Sequence, residues 1–280
     1  MKIAVFTVSL PEYTPEQAVT KLKEHGYDGI EWRVVDQQPS ADGQPGFWAG
    51  NNCTWPLSTF VEDAPRIKSL TTHASLEMPA LGTYAACSDL DAVEQAMQGA
   101  AALGVPQLRI NVPKYDGQAP FRDLRETAMA QYREVAILAR KHGVRALVEI
   151  HHGSVVPSAS AAALFLNGLD PQDVGAIHDA GNMVYEGHEQ YRLGLETLGP
   201  YLAHVHIKDA AWRQEPSGAW KAGWAPIGEG IVDFTALFTA LGAVGYESWV
   251  SVEDFASAVP LEERLKQNIE FIHAAIEGAG

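Results

Sequence analysis

The sequence predicts an α/β fold in which a single domain, residues 1–280, forms a closed (β/α)8 barrel. Eight short apolar runs rich in β-branched residues recur along the chain, and longer amphipathic segments separate them. Strands that alternate with helices pair in parallel through crossover helices, and eight such units match the arithmetic of a TIM barrel. Length allows either one barrel or two smaller domains. A doubly wound sheet is the alternative, but no GxGxxG turn follows the first strand.

The eight runs are the predicted barrel strands. In chain order they cover residues 2–7, 27–33, 69–75, 105–112, 144–152, 174–182, 202–210 and 248–255.

Helix signals lie between the strands. Thr14, Pro15 and Gln17 supply an N-cap, a first-turn proline and a capping-box partner, and Gly26 predicts the end of that helix. Ser88 and Asp91 are expected to open another helix in the same way. In the last segment, apolar residues spaced for one helix face are Leu261, Leu265, Ile269 and Ile272.

Two connections are longer than a barrel requires. Residues 34–58 are rich in Gly, Pro, Asn and Trp, and residues 211–232 carry three tryptophans. Both follow the carboxyl ends of strands, where the active site of such a barrel lies. We expect them to form a lid, with a flexible or oligomer-forming loop as the alternative.

Composition narrows the class of partner. A formal charge of -15 would repel nucleic acids and anionic membranes, so a small neutral or weakly charged partner is expected. Cys53 and Cys87 form neither a CxxC pair nor a metal-type cluster, which suits a reducing cytoplasm. We expect no signal peptide and no membrane span. A homo-oligomer is left open.

The fifth predicted strand ends in "LVEIHHG", where three ionisable residues follow an apolar run. Side chains alternate along a barrel strand, so residues two apart share a face. Glu149 and His151 are therefore expected to point into the barrel. Ile150 and His152 are expected to face the helix layer or the rim.

The next three strands bring further ionisable groups to the same end of the barrel. Asp179 lies near the end of the sixth strand, and Glu253 lies near the end of the eighth. On the seventh strand, His204, His206 and Lys208 share a face. A lone histidine on a strand is often a satisfied core residue, and this is the alternative for His204.

Several buried carboxylates close together would repel one another strongly, and a divalent cation removes that conflict. Glu149, Asp179, His206 and Glu253 offer three carboxylates and one imidazole. This oxygen-rich set suits Mn²⁺ first, with Mg²⁺, Co²⁺ and Zn²⁺ as alternatives. A salt-bridged barrel mouth without metal is the competing interpretation.

The motifs "LVEIHHG", "AIHDAGN", "HVHIKDA", "PIGEGIVDF" and "GYESWVSVEDF" resemble those of the sugar phosphate isomerase/epimerase family, the xylose isomerase-like or AP endonuclease 2-like TIM barrels. The resemblance runs in order from about residue 1 to residue 255. It implies one divalent metal held by Glu149, Asp179, the second histidine of "HVH", His206, and Glu253. It also implies that the two glutamates are the acid/base pair of a keto-sugar epimerase.

Substrate contacts are less completely matched. The epimerases carry a substrate-binding histidine where this chain has Asn182, and their arginine after the metal histidine corresponds only loosely to Arg213. We expect both residues to contact substrate, together with Lys208 and His204. For Lys208 the alternative is an ion pair with Asp209 or another neighbour.

The expected activity is that of a divalent-metal-dependent isomerase or epimerase acting on a keto-sugar or related polyol through an enediolate. A carboxylate takes the proton between the carbonyl and its neighbouring hydroxyl, and its return to the other face or to the next carbon gives epimerisation or isomerisation. Expulsion of a β-substituent would give the alternative, a dehydratase or lyase of the inosose dehydratase or 3-keto-glycoside-cleaving type. The neutral imidazole of His151 would be the extra acid for that outcome, because it can donate a proton to the departing oxygen.

Two other classes of function remain as alternatives. An AP endonuclease-type DNA repair enzyme would need further metal ligands and a basic groove, and the net charge disfavours it. A non-catalytic sugar-binding barrel is the last alternative.

Overall fold

A computed structural model describes residues 1–279 and shows the closed barrel of parallel strands that the sequence predicts. In chain order the strands are β1 (Lys2–Phe6), β2 (Gly29–Val34), β3 (Thr54–Trp55), β4 (Leu81–Thr83), β5 (Gln107–Arg109), β6 (Arg145–Glu149), β7 (Val174–Asp179), β8 (Leu202–Ile207), β9 (Asp209–Gln214), β10 (Trp220–Ala225) and β11 (Trp249–Val252). The barrel order is β1-β2-β4-β5-β6-β7-β8-β11, and β11 pairs with β1 to close it.

The helices cover the outside of the barrel. They are α1 (Pro15–Glu24), α2 (Phe60–His73), α3 (Leu90–Leu103), α4 (Phe121–His142), α5 (Ala159–Leu166), α6 (Ala180–Met183), α7 (Tyr191–Leu198), α8 (Phe234–Ala243) and α9 (Leu261–Glu277). Among residues 1–279, no helix combines the length and the apolar character needed to cross a bilayer.

The prediction of the third strand is wrong, because residues 69–73 form the last turns of α2. Ile67 and Thr71, four residues apart, lie on the buried face of this helix. The Thr71 hydroxyl donates to the Ile67 carbonyl at 2.9 Å and accepts from the Trp32 indole N–H at 3.1 Å. The β-branched residues that indicated a strand therefore pack a helix against β2, and the third barrel strand is the three-residue β4.

Helix starts follow capping chemistry. At α1, Thr14 Oγ1 accepts from the Gln17 N–H and the Gln17 side chain accepts from the Thr14 N–H, so the predicted capping box is confirmed. At α3 the predicted cap is off by one residue: Asp89, not Ser88, accepts from the Ala92 N–H at 3.1 Å. The predicted buried face of α9 is confirmed.

The barrel interior is layered along its axis. Leu147 of β6, Ile177 of β7 and Ala203 of β8 form a small apolar cluster. Glu149 and Asp179, each two residues further along its strand, lie on the same faces at the carboxyl ends. An apolar layer thus supports the carboxylates from below.

Residues 211–232 are not only a loop, because β9 and β10 form an antiparallel hairpin there. At its base, the Asp209 carboxylate accepts hydrogen bonds from the N–H groups of Gly228, Gly230 and Val232 at 2.9–3.2 Å. A Cβ at Gly230 would lie 1.9 Å from Asp209 Oδ1, so only glycine fits at that position. The carboxylate therefore holds residues 228–232, the segment that follows β10, against the base of the hairpin.

Candidate active site

Four side chains from the carboxyl ends of neighbouring strands converge inside the barrel mouth. Glu149, Asp179, His206 and Glu253 each place one donor atom within 4.8 Å of the others, and all four are buried. Strand register explains the convergence, because Asp179 of β7 lies opposite His206 of β8. The structure thus brings together the four residues that the sequence analysis singled out as metal ligands.

His206 has a defined orientation within this cluster. Its Nε2 lies 3.3 Å from Oε2 of Glu31, a fully buried residue of β2. Its Nδ1 lies 3.1 Å from Oε1 of Glu149 and 3.8 Å from Oδ2 of Asp179. Nδ1 is therefore the nitrogen available to a metal, while Glu31 accepts the hydrogen on Nε2.

A buried arginine distinguishes the two glutamates. Arg109 of β5 donates from Nη1 to Oε2 of Glu149 at 2.7 Å. Burial alone would raise the pKa of Glu149, but Arg109, together with His206 and Lys208, holds it well below its ordinary value. Burial raises the pKa of Glu253; Lys208 opposes that rise and Glu149 adds to it. The pair therefore combines a readily ionised carboxylate with one that holds its proton more tightly.

Lys208 closes the other side of the cluster. Its ammonium lies 2.9 Å from Oδ2 of Asp179 and contacts Oε2 of Glu253. Although burial would lower the pKa of Lys208, Asp179 and Glu253 raise it above its ordinary value. The expected alternative partner, Asp209, is bound to backbone N–H groups of the hairpin instead.

The donor set fits a divalent cation. Three carboxylates and one imidazole face a common point, and Asp179 Oδ2 is buried without a hydrogen bond of regular geometry. Buried carboxylates at this spacing repel one another unless cations compensate them. Glu149, Asp179, His206 and Glu253 could therefore hold one such ion. A second group, formed by Glu31, His204 and His206, also has ligand spacing, but its histidine Nε2 atoms face Glu31 and support the first group from behind.

A pocket of about 450 Å³ opens above the cluster and is lined by Glu149, Glu253, Lys208 and Arg109 at its base. Aromatic side chains form one wall. Trp48 comes from the connection after β2, Trp224 from the hairpin, and Phe255 from the segment after β11; Phe255 packs on both tryptophans with ring centroids 5.0 and 5.5 Å away. The two long connections thus meet over the site, as the lid prediction requires.

His151 and His152 both line this pocket, so His152 does not face the helix layer, the first of the two positions expected for it. Strand β6 ends at Glu149, and the alternation of side chains ends with it. His152 stacks on Tyr185 with centroids 4.1 Å apart, and its Nδ1 lies 3.1 Å from Oδ1 of Asn182. Burial, with a contribution from His151, lowers the pKa of His152.

The hydrogen bonds of His151 define what it can do. Its Nδ1 lies 2.6 Å from the carbonyl oxygen of His152, which can only accept, so Nδ1 carries a hydrogen. In the neutral ring Nε2 is then the unprotonated nitrogen. His151 can therefore accept a proton when neutral and can donate one from Nε2 only as imidazolium, which corrects the expectation that a neutral ring would be the acid.

Three residues expected to contact substrate lie elsewhere. Asn182 is buried beneath His152 and donates to the Ile150 carbonyl at 3.2 Å. His204 is buried and lies 3.1 Å from Glu31. Arg213 is exposed on β9 and donates to the Trp224 carbonyl at 3.4 Å. Asn182 and His204 support other site residues, whereas Lys208 does line the pocket.

Glu31 and Arg109 were not predicted as site residues, although the sequence contains a signal for both. Each is a charged residue inside a short apolar run that was assigned as a strand, "YDGIEWR" and "VPQLRINV". A charge inside a buried strand needs a partner. Arg109 is the charged partner of Glu149, and Glu31 is the charged partner of His204 and His206.

Comparison with known proteins shows related sequences and folds. An inosose dehydratase of Geobacillus thermodenitrificans is 32% identical over 145 residues, which are 46% of this chain and 47% of that protein. An inosose dehydratase of Clostridium perfringens is 27% identical over 177 residues, 57% of this chain and 58% of that protein. The chain thus matches about half the length of these curated relatives.

Among solved structures, IOLI protein with a bound zinc atom superposes with a TM-score of 0.76 at 18% identity, covering 100% of this chain and 99% of that one. The similarity at this identity concerns the fold. A family model described as xylose isomerase-like TIM barrel matches residues 19–275, nearly the whole chain. The chain belongs to the xylose isomerase-like TIM barrel family.

Proposed function

We propose that the protein is a divalent-metal-dependent isomerase or epimerase that acts on a keto-sugar or related polyol. The observation that carries this proposal is the placement of Glu149 and Glu253, from the non-adjacent strands β6 and β11, on one four-donor cluster at the base of the pocket. Two carboxylates on separate strands can approach a substrate carbon from different sides. That is the arrangement that removal and return of a proton requires.

The proposed ligands are Glu149, Asp179, His206 and Glu253, and Mn²⁺ is the proposed ion, with Mg²⁺, Co²⁺ and Zn²⁺ as alternatives. A divalent ion bound there would stabilise negative charge on the substrate oxygens as the enediolate forms. The carboxylate count favours an oxygen-seeking ion, and the one imidazole keeps Zn²⁺ among the candidates.

The protein side chains divide the proton transfers between them. Glu149, kept ionised by Arg109, is suited to take the proton beside the carbonyl group. Glu253, whose pKa burial raises, is suited to deliver a proton from its side of the pocket. Return to the opposite face of the same carbon gives epimerisation, and return to the adjacent carbon gives isomerisation.

The aromatic wall gives the pocket its preference for a ring-shaped ligand. Trp48, Trp224 and Phe255 present apolar surface opposite the polar base. A sugar or cyclic polyol has C–H faces that pack on aromatic rings and hydroxyl edges that bond to polar groups. The pocket therefore suits a small carbohydrate substrate.

A second candidate function is dehydration or lyase cleavage of an inosose or a 3-keto-glycoside. Two observations favour it: the curated relatives named above are inosose dehydratases, and His151 lines the pocket beyond the two glutamates. Elimination needs a group that protonates the departing oxygen. The imidazolium form of His151 would supply it from Nε2.

The test is a screen of keto-sugars, inososes and 3-keto-glycosides with Mn²⁺ in D₂O, followed by NMR. We expect deuterium at the carbon beside the carbonyl in the epimer or isomer, and an unsaturated product if elimination occurs. Glu149→Gln and Glu253→Gln should each abolish turnover. A product formed without exchange would point to a hydride shift and contradict the acid/base assignment.

Two further outcomes address the remaining classes. A protein that binds these sugars without converting any of them would be a sugar-binding barrel. Tight binding of a fluorescent DNA duplex at low salt would favour the DNA-repair class, which the net charge of -15 disfavours.

A further inference from the structure

Lys208 lies where a cation would bind. Its Nζ atom is 2.9 Å from Oδ2 of Asp179 and contacts Oε2 of Glu253, two of the four proposed metal ligands. The side chain is almost completely buried, with 2% of its surface exposed. One ammonium group therefore already compensates carboxylates that the proposed metal would also bind.

The positive charge of Lys208 interacts strongly with the two carboxylates that it contacts. A unit charge within a few ångström of a carboxylate, out of contact with bulk water, interacts strongly with it. A divalent ion bound by Asp179 and Glu253 would draw on the same two carboxylates, and it would also repel the ammonium group. Metal binding would therefore weaken the contacts of Lys208 with both carboxylates.

We propose that Lys208 is an internal counter-cation, which holds Asp179 and Glu253 in place before metal binding and is displaced when the divalent ion binds. This inference rests on the proposed metal centre, and it adds a competition between a residue of the chain and the metal.

The structure also offers a position for the displaced group. Nζ already lies 4.9 Å from the ring centroid of Trp224 and 5.3 Å from that of Phe255, both in the wall of the pocket. Aromatic faces attract ammonium groups at such distances. A displaced Lys208 would turn toward this wall and face the substrate, so metal binding would also complete the substrate pocket.

The alternative is that Lys208 is a fixed support that preorganises the ligands for the metal. The two interpretations predict opposite signs for one measurement. If Lys208 competes, its removal tightens metal binding; if it preorganises the site, its removal weakens metal binding.

The test compares Mn²⁺ affinity in wild type and Lys208→Met, measured without substrate by titration against a chelator of known affinity. We expect Lys208→Met to bind Mn²⁺ about tenfold more tightly or better, since a competing unit charge is lost. The control is Lys221→Met on the exposed strand β10, which changes the net charge equally and should keep wild-type affinity. Equal or weaker binding by Lys208→Met would overturn the inference while leaving the metal centre intact.

Two further results keep the test decisive. Metal-free Lys208→Met should unfold at a lower temperature than metal-free wild type, and saturating Mn²⁺ should raise its Tm more than that of wild type; a smaller rise would overturn the inference. Lys208→Gln, which is neutral and can still donate a hydrogen bond, provides the same comparison if the methionine variant does not fold without metal. A wild-type protein that binds no Mn²⁺, Mg²⁺, Co²⁺ or Zn²⁺ would overturn the metal centre together with the inference.

Discussion

Oε2 of Glu31 lies 3.3 Å from Nε2 of His206, on the side of the imidazole ring opposite Nδ1. Because Glu31 accepts the hydrogen on Nε2, Nδ1, which faces the carboxylates of Glu149 and Asp179, is the nitrogen that would bind a metal after losing its own proton. The orientation of the only imidazole in the proposed metal centre is thus set from β2, across the barrel interior.

Glu31→Gln should weaken metal binding by about 10- to 100-fold, because the amide fixes neither the ring orientation nor the tautomer of His206 as a carboxylate does. Chelator competition with Mn²⁺ measures this. Glu77→Gln, at a largely exposed glutamate near the opposite end of the barrel, is the matched control and should retain wild-type affinity. Unchanged affinity in Glu31→Gln would remove Glu31 from the metal centre.

Arg109→Met should lower the free energy of unfolding by about 3 kcal/mol, because it removes the arginine of a buried ion pair and leaves Glu149 with His206 as its remaining partner. The double variant Arg109→Met/Glu149→Gln removes both charges and should recover part of that loss. Denaturant unfolding of metal-free protein provides the measurement. Additive losses in the double variant would show that the two residues do not stabilise one another.

His151→Ala should retain its metal and still exchange the proton beside the carbonyl of a keto-sugar, while it loses most of any dehydratase or lyase activity. The reason is that the glutamates carry proton removal, whereas only elimination requires an acid for the departing oxygen. Solvent deuterium incorporation and product formation, followed in one NMR experiment, separate these steps. Joint loss of both would make His151 the base, and loss of neither would leave it a structural residue.

The buried side chain of His178 makes the free energy of unfolding depend on pH. It is fully buried on β7, neither of its ring nitrogens has a hydrogen-bond partner, and burial lowers its pKa to about 4 from an ordinary value of 6.5. Between pH 6.5 and 4 the unfolded chain therefore binds a proton that the folded chain does not. The free energy of unfolding is unaffected by His178 above pH 6.5. It falls by roughly 3 kcal/mol as the pH decreases from 6.5 to 4, because only the unfolded chain is protonated there.

His178→Leu should abolish this component of acid sensitivity and should be at least as stable as wild type at pH 7, because no hydrogen bond is lost. Urea unfolding at pH 7, 5.5 and 4.5 compares the two proteins. An equal decline of both with falling pH would assign the acid sensitivity to other groups.

The barrel could be predicted from the sequence because most of its strands are apolar runs flanked by capped helices. The third strand could not, because Leu81–Thr83 is too short to show a pattern, whereas the β-branched residues of α2 imitate a strand. Tertiary packing determines the position of this strand. A Cβ at Gly82 would lie 2.1 Å from the Phe6 ring, so the strand backbone packs directly against that ring, and strand propensity does not indicate this contact.

Within the site, the alternation of side chains along strands placed Glu149, Asp179, His206 and Glu253 together correctly. The same rule failed at His152, because β6 had already ended. Arg109 reaches Glu149 because β5 pairs directly with β6, whereas Glu31 of β2 reaches His206 only because β1 and β11 close the barrel. The charge inside each apolar run shows that a partner is needed, but the local pattern does not show which residue that partner is.

The most direct test of the metal centre is the metal content of the purified protein after loading with Mn²⁺ and gel filtration, determined by elemental analysis. We predict one ion per chain in wild type and in the surface control Asp91→Asn, and loss of that ion in Asp179→Asn and His206→Ala. Full metal content in both site variants would contradict the assignment of the four ligands.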